Sequence, residues 1–400
     1  QMPHTPVPAG ELNARLSRLR AALAQHDPAW SMTILDNKID LYYFTGTMQD
    51  GALIVTPDQA VLFVRRSFEC AKRESAFADI RPLGSFRTVA EAFPAIPDRV
   101  YVAARTMTLQ KLSLLQKYLP FTQPQPVDGV LAGLRAVKSA YELDCMRQSG
   151  VLHRFALEEI APVLLRDGIS EARLCSEVGT VLLERGAMGI SRFNQAAADD
   201  VLGVASFSEN SLTGCGLDSP TGTAGTCIAM KSIGSSERRL REGDVVLLDI
   251  PSGFRGYHTD KSISFFYGSL ARHPQGGRIR AAREQCVFLE HEAAAMLRPG
   301  AVPAEVYGKL CACVDPAFRA GFMNGCKFLG HSIGLTMDES PVLARGFEEP
   351  IRAGMTFAVE PKIALEGIGL VGCENTYEVV SDGPARSLTG ACDTPFEING

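Results

Sequence analysis

Hydrophobic and polar residues alternate along the first 130 residues in a way that predicts helices separated by short strands. Apolar residues recur at helical spacing from Glu11 to Gln25, which predicts an amphipathic helix. Apolar runs predict strands at 31–35, 51–56, 60–65 and 99–104, and helical spacing predicts helices at 67–78 and 108–119. The stretch from Phe121 to Asp128, rich in Pro and Gln, is interpreted as a linker. This alternation favours an α/β layer domain.

The remainder of the chain combines long helices with short strands. Helical spacing predicts helices at 139–165, 170–185, 276–297 and 303–313. Residues 191–236 are rich in Gly, Ser, Thr and Asn and are interpreted as strands joined by long loops. Short apolar runs predict strands at 355–359, 368–373 and 376–380. A length of 400 residues fits two domains.

Composition narrows the class of protein. Hydrophobic residues make up 46% and charged residues 21% of the chain, the balance of a soluble globular protein. The net charge of −5 gives no global basic field, so neither nucleic acid nor a membrane is expected as a partner. No secretory signal and no membrane-spanning apolar run is visible. The 11 scattered cysteines include no Cys-x-x-Cys pair, which favours reduced thiols and a cytoplasmic location.

The stretch from Gly243 to Gly268 predicts a hairpin that carries two carboxylates. An apolar run ends on Asp249, turn residues follow at 252–256, and Asp260 precedes a second strand of alternating pattern. Pairing of the strands would bring the two aspartates together. Close, buried carboxylates repel each other unless a cation lies between them. Two surface turn residues are the alternative, and the aspartate pair alone favours that alternative.

Three further residues favour the metal. Glu360 and Glu374 each end an apolar run, as Asp249 does, and His331 lies in a Gly-rich apolar segment, where an isolated histidine is more often a core residue than a ligand. The complete set is Asp249, Asp260, His331, Glu360 and Glu374. Two divalent ions would neutralise its four carboxylates, and oxygen ligands with one imidazole suit Mn, Co, Zn or Fe. Two ions that share a water can generate hydroxide, which implies metal-assisted hydrolysis.

This set resembles the ligand pattern of the pita-bread metallohydrolases, in the branch of aminopeptidase P, prolidase and creatinase. The resemblance is carried by Asp249-x10-Asp260, Gly330-His331-x-Ile333-Gly334-Leu335, Glu360-Pro361, Glu374, and the segments Leu134–Glu142 and Asn37–Gly46. It implies an α/β N-terminal domain over residues 1–133 and an α+β pita-bread catalytic domain over residues 134–400. It also implies five metal ligands, two divalent ions, a bridging hydroxide as nucleophile and a homodimer.

The chain departs from that pattern around the ligands. Asp338 and Ser232 lie where the related peptidases have histidines, and Gly372 lies where they have an arginine. An aspartate donates a hydrogen bond only when protonated, so Asp338 is predicted to act as a base or to bind a cationic group.

Three more residues are candidates for proton transfer. Glu339 or Glu360 would carry protons, as the resemblance implies for the glutamate before Pro361. His258 lies two residues before Asp260, so on a strand it would share the aspartate's face and partly replace a missing imidazole. An exposed turn histidine is the alternative for His258.

These observations leave three functions open. The first is a hydrolase of Xaa-Pro aminopeptidase or dipeptidase type, acting on a short peptide. The second is a creatinase-like C–N hydrolase or a lyase that acts on a small, for example cationic, non-peptide molecule. The third is a non-catalytic binding protein on the same fold, ranked last because all five ligands are present.

Overall fold

The computed structural model describes residues 5–194, 199–391 and 393–399. The chain divides into two compact units, with the boundary in the sequence between Arg135 and Ala136.

The first unit alternates helices with strands, as predicted. Its helices are α1 (Ala9–His26), α2 (Lys38–Thr45), α3 (Phe68–Glu74), α4 (Phe86–Ala92), α5 (Leu109–Tyr118) and α6 (Asp128–Ala136). Its strands are β1 (Thr33–Leu35), β2 (Gly51–Val55), β3 (Ala60–Val64), β4 (Ile80–Pro82), β5 (Arg99–Val102) and β6 (Gln123–Pro126). In the described part of this unit the strands form one sheet in the order β4-β3-β2-β1-β5-β6. Apolar side chains of α4 and α5 pack on this sheet.

Two predictions for this unit are wrong. The stretch interpreted as a linker contains β6, which pairs in parallel with β5 at the edge of the sheet. An edge strand tolerates Pro124 and Pro126 because one side of it needs no N–H donors. The helix predicted over 67–78 ends at Glu74. Helix α2 was not predicted from periodicity, although Asn37 caps it by accepting hydrogen bonds from the backbone N–H groups of Ile39 and Asp40.

The second unit has the helices α7 (Ala140–Arg154), α8 (Ala161–Leu164), α9 (Glu171–Glu184), α10 (Gly276–Met296) and α11 (Pro303–Ala312). A π-helical turn, Phe155–Ile160, joins α7 to α8, so the long helix predicted over 139–165 is one nearly continuous stretch. Its start is fixed by a capping box between Ser139 and Glu142. Ser170 caps α9, as predicted.

The strands of this unit are β7 (Ile190–Arg192), β8 (Asp199–Val201), β9 (Val204–Phe207), β10 (Val245–Asp249), β11 (Ser252–Phe254), β12 (Tyr257–Thr259), β13 (Ser262–Tyr267), β14 (Phe328–Ser332), β15 (Glu339–Ala344), β16 (Thr356–Val359), β17 (Lys362–Leu365), β18 (Gly369–Glu378), β19 (Arg386–Ser387) and β20 (Glu397–Ile398). The main sheet has the order β15-β14-β16-β18-β13-β10-β9, and β17 and β19 also pair with β18. This mixture of an antiparallel sheet with helices agrees with the predicted α+β class.

The predicted hairpin is present as β10 and β13, with Asp249 opposite Ser262. The segment 252–256, predicted as a turn, begins with β11, which forms a smaller hairpin with β12. The two strands predicted at 368–373 and 376–380 are one strand, β18, because no glycine or proline interrupts residues 373–378.

Strand alternation places the apolar core on both faces of the sheet. Val245 belongs to the cluster that contains α10 and α11, whereas its neighbour Val246 packs in the cluster of α9. Within α10, Ile279, Ala282 and Cys286 are fully buried at helical spacing. No helix that the described residues form is both long and apolar enough to cross a membrane.

Candidate active site

The main sheet brings the five predicted metal ligands together. Asp249 ends β10, Asp260 precedes β13, His331 lies in β14, Glu360 follows β16 and Glu374 lies in β18. Their proximity follows from strand register, since Ser262 of β13 is opposite both Asp249 and Glu374, and His331 is opposite Ala358 of β16. All five line one cavity of about 740 Å³.

Three of these side chains converge closely. One ligand atom each of Asp260, His331 and Glu374 lies within 4.8 Å of the others. Nε2 of His331 is also 3.7 Å from Oε1 of Glu360. Nδ1 of His331 lies 3.1 Å from the carbonyl oxygen of Ser332. Because a carbonyl only accepts, Nδ1 carries the proton and Nε2 is free to bind a cation.

The carboxylates raise one another's pKa. Burial raises the pKa of Asp260 well above its ordinary value, and the charges of Asp249 and Glu360 raise it further. Burial likewise raises the pKa of Glu374, with Asp260 as the next contributor. A cation between these groups would remove the repulsion. The electrostatics of the cluster therefore favour a bound positive charge.

One such charge is already supplied by Lys362, a residue that was not predicted from the sequence. Its Nζ lies 2.8 Å from Oε2 of Glu360, 3.0 Å from Oε2 of Glu374 and 3.7 Å from Oδ2 of Asp249. Its side chain is fully buried. Burial alone would lower the pKa of Lys362, but the three carboxylates outweigh that effect and hold the pKa well above its ordinary value. Strand alternation was an available signal, since residues 360 and 362 are two apart and share a face.

Neighbouring hydroxyl groups hold the aspartates. The hydroxyl of Thr221 donates to Oδ2 of Asp249. Thr376 Oγ1 accepts from the backbone N–H of Asp260 at 2.8 Å and donates to its carbonyl oxygen at 2.9 Å. These contacts fix the backbone and side chains from which the ligand oxygens project.

The donor set fits a divalent transition-metal ion. Oε1 of Glu374 is buried and has no hydrogen-bond partner among the described residues, a costly arrangement unless a cation binds there. It belongs to a side chain that converges with Asp260 and His331. Carboxylate oxygens with one imidazole suit Mn, Co, Zn or Fe.

Asp338 faces the same cavity. Its Oδ1 accepts a hydrogen bond of 2.7 Å from the backbone N–H of Asn194, and desolvation raises its pKa. Ser232 also lines the cavity and donates to the carbonyl oxygen of Gly203 at 3.1 Å. Both residues that replace the expected histidines therefore border the space in front of the ligands.

Glu339 and His258 are buried beside the cavity rather than in its described lining. Oε2 of Glu339 lies 3.0 Å from Nζ of Lys138. Nε2 of His258 accepts from the backbone N–H of Arg192, and its Nδ1 lies 3.1 Å from the carbonyl oxygen of Gly334. The exposed-turn alternative for His258 is wrong, since its side chain is fully buried and burial lowers its pKa to about 4. The catalytic roles of Glu339 and His258 stay predictions.

Two family models match this chain. Metallopeptidase family M24 matches residues 144–381, which include all five candidate ligands. The Creatinase/Prolidase N-terminal domain matches residues 15–137.

Individual relatives agree with the family. The Xaa-Pro dipeptidase of Pyrococcus furiosus is 23% identical over 358 residues, which cover 87% of this chain and 90% of that protein. The crystal structure of the prolidase from Pyrococcus horikoshii OT3 has a TM-score of 0.78 at 18% identity, covering 96% of this chain and 100% of that one. The Xaa-Pro dipeptidase from Bacillus anthracis has a TM-score of 0.79 at 19% identity, covering 96% and 99%.

These similarities show the predicted architecture, an α/β N-terminal domain followed by a pita-bread catalytic domain. They favour a metal-dependent peptidase over the small-molecule hydrolase, the lyase and the non-catalytic protein. With the family match over most of the second unit and the carboxylate–histidine cluster at its centre, the chain belongs to metallopeptidase family M24 and is a metallohydrolase of its prolidase branch.

Proposed function

We propose that this protein hydrolyses Xaa-Pro dipeptides or short Xaa-Pro peptides at the cavity of the second unit. The observation that carries the proposal is the convergence of Asp260, His331 and Glu374 at a cavity of about 740 Å³. That volume suits a small ligand. The chemistry is assigned to the proposed catalytic domain, residues 134–400, with residues 1–133 as the N-terminal domain.

A divalent ion supplies Lewis acidity and lowers the pKa of water when bound. The protein's own residues hold and orient the reactants. The proposed ligands are Asp249, Asp260, His331, Glu360 and Glu374. Because four of them are carboxylates, two divalent ions would neutralise their charges, and we propose no more than two. Glu360 borders the cavity, where it is placed to accept a proton and pass it to the leaving nitrogen.

The charges of the cavity suit the two ends of a dipeptide. Among the described residues that line the cavity, Lys231 supplies a positive charge and Asp338 a carboxylate. Lys231 is proposed to bind the substrate carboxylate, and Asp338 to bind the free amino group or act as a base. Arg345, the other candidate anchor in the sequence, is not among the described lining residues.

A substrate panel tests the proposal. Purified protein with added Mn²⁺ is offered Xaa-Pro dipeptides, longer Xaa-Pro peptides, and matched Xaa-Ala dipeptides as the control for proline. We expect turnover of Xaa-Pro substrates well above that of Xaa-Ala. Turnover confined to small non-peptide C–N compounds would move the assignment to the creatinase-like hydrolase or the lyase.

Two further features belong to the proposal. A homodimer is proposed from the family resemblance, and sedimentation equilibrium tests it by the mass of the assembly. A cytoplasmic location is proposed from the scattered free cysteines, and fractionation of the source cells tests it.

A further inference from the structure

We infer that the Lys362 ammonium takes the place of a second metal ion, so that the centre holds one divalent ion and one fixed lysine charge. The inference rests on the proposed function only in that it requires a metal at these ligands. It concerns how many ions the centre holds and which residue sets that number.

The glutamates divide their oxygens between two sides. Oε2 of Glu360 and Oε2 of Glu374 both accept hydrogen bonds from Lys362, at 2.8 and 3.0 Å. The other oxygen of Glu360 faces Nε2 of His331, and the other oxygen of Glu374 is buried without a hydrogen-bond partner among the described residues. One oxygen of each glutamate therefore remains for an ion, on the side of His331.

Asp249 is held apart from that ion position. Its Oδ2 accepts from the Thr221 hydroxyl and lies 3.7 Å from the Lys362 ammonium. It is absent from the group of described ligand atoms that converge within 4.8 Å, which consists of Asp260, His331 and Glu374. A second ion would need the oxygens of Asp249, Glu360 and Glu374 that Lys362 already engages.

Charge counting is compatible with one ion. The four carboxylates carry four negative charges, and Lys362 reduces this to three. One divalent ion would leave one negative charge and two would leave one positive charge, so the net charge does not require a second ion. The oxygens that Lys362 engages decide against the second ion.

The fold fixes Lys362 in this place. The residue lies in β17 directly opposite Gly372 of β18. A Cβ at position 372 would come within 2.6 Å of the Lys362 Cγ and 2.5 Å of the Pro361 carbonyl oxygen. Glycine at 372 therefore leaves the space that the lysine side chain fills.

Ion stoichiometry tests the inference directly. Protein stripped with chelator is dialysed to equilibrium against excess Mn²⁺, and bound manganese is measured by elemental analysis. We expect close to one ion per chain. Two ions per chain, with Lys362 in place, would overturn the inference. The lysine would then only orient the ligand side chains. No bound ion would overturn the proposed metal-dependent function itself.

A matched pair of variants tests the role of the lysine. Lys362→Ala removes the charge and leaves room for an ion, so we expect bound manganese to rise from one towards two. Lys138→Ala removes another buried lysine, whose carboxylate partner is Glu339. We expect this variant to bind one manganese ion per chain, as the wild type does. Circular dichroism reports whether each variant folds. If Lys362→Ala does not fold, the number of manganese ions bound by the wild type still tests the inference.

Electron paramagnetic resonance gives a second readout that does not depend on activity. Two Mn²⁺ ions in one such centre lie about 3.5–4 Å apart, close enough for their spins to couple. We expect an uncoupled signal from the wild type and a coupled signal from Lys362→Ala. A coupled signal from the wild type, or one ion in folded Lys362→Ala, would contradict the inference.

Discussion

Asp338 combines a cavity position with a raised pKa and one fixed hydrogen bond. Its Oδ1 accepts from the backbone of Asn194, and its backbone oxygen accepts from the Asn194 side chain at 2.6 Å. The carboxylate is therefore oriented before any substrate arrives. Such an arrangement suits a residue that accepts a proton or binds an amino group.

Replacing Asp338 by asparagine separates charge from shape. An amide oxygen still accepts from the Asn194 N–H, so the local fold should survive while the base is lost. General base catalysis contributes roughly 10²- to 10⁴-fold, so we expect kcat/KM for Xaa-Pro dipeptides to fall by about that factor. Asp218→Asn, at another aspartate of the cavity lining, is the control and should change kcat/KM much less. Unchanged kcat/KM in Asp338→Asn would remove this residue from the mechanism.

The five candidate ligands could be predicted because each is a polar residue at the end of an apolar strand or within one, a pattern visible in the sequence. The contact of Lys362 with these carboxylates was harder to predict from the sequence. Its role depends on the pairing of β17 with β18, which brings it opposite Gly372 and beside Glu374. Strand register of this kind is a long-range property that local patterns do not specify.

Among the elements, the pairing of β10 with β13 was predicted because both strands are marked apolar runs separated by only 12 residues, although the smaller hairpin β11–β12 between them was predicted as a turn. Strand β6 was missed because two prolines in four residues suppress the strand signal, and only its edge position makes them tolerable. Strand β18 was predicted as two strands, since Glu374 and Asn375 are polar residues in an otherwise buried run. Polar residues at a functional site thus interrupt the apolar pattern from which a strand is predicted.

A pair of glycine substitutions tests how tightly β17 and β18 pack. In Gly372→Ala, the new methyl group would collide with the Lys362 side chain and the Pro361 backbone, and overpacking of this kind costs about 1–3 kcal/mol. Gly308 is exposed in α11 with nothing within 4 Å of an added Cβ, so Gly308→Ala should stabilise the protein by about 0.4–1 kcal/mol. Chemical denaturation measures both free energies of unfolding. Equal effects of the two substitutions would contradict the close packing at Gly372.

In the molecule as a whole, His153 links helix α7 to the segment that carries the metal ligands. Its Nε2 donates to the carbonyl oxygen of Ile250, and its Nδ1 lies 3.1 Å from Oγ1 of Thr259. Ser149, one turn earlier in α7, also contacts Thr259, at 2.7 Å. The imidazole is fully buried, and burial lowers its pKa from 6.5 to about 3.

This histidine makes stability depend on pH. Below pH 6.5 the unfolded chain takes up a proton at His153, whereas the folded protein does so only near pH 3. Stability from this group is therefore complete above pH 6.5 and declines as the pH falls towards 3, by up to about 1.4 kcal/mol per pH unit. We expect His153→Gln to flatten this decline in the free energy of unfolding. His291→Gln, at an exposed position of α10, is the control and should leave it unchanged. The same slope in all three proteins would contradict the buried, neutral imidazole.

Metal-reconstituted turnover tests whether the carboxylate–histidine cluster binds a metal on which Xaa-Pro hydrolysis depends. Protein stripped with chelator is titrated with Mn²⁺ while hydrolysis of one Xaa-Pro dipeptide is followed, with Asp260→Asn as the ligand variant. We predict no turnover without metal, turnover that rises and saturates with Mn²⁺ in the wild type, and loss of at least about 10²-fold in Asp260→Asn. Hydrolysis by the stripped protein at the full rate, or none at any Mn²⁺ concentration, would contradict metal-dependent Xaa-Pro hydrolysis at this cluster.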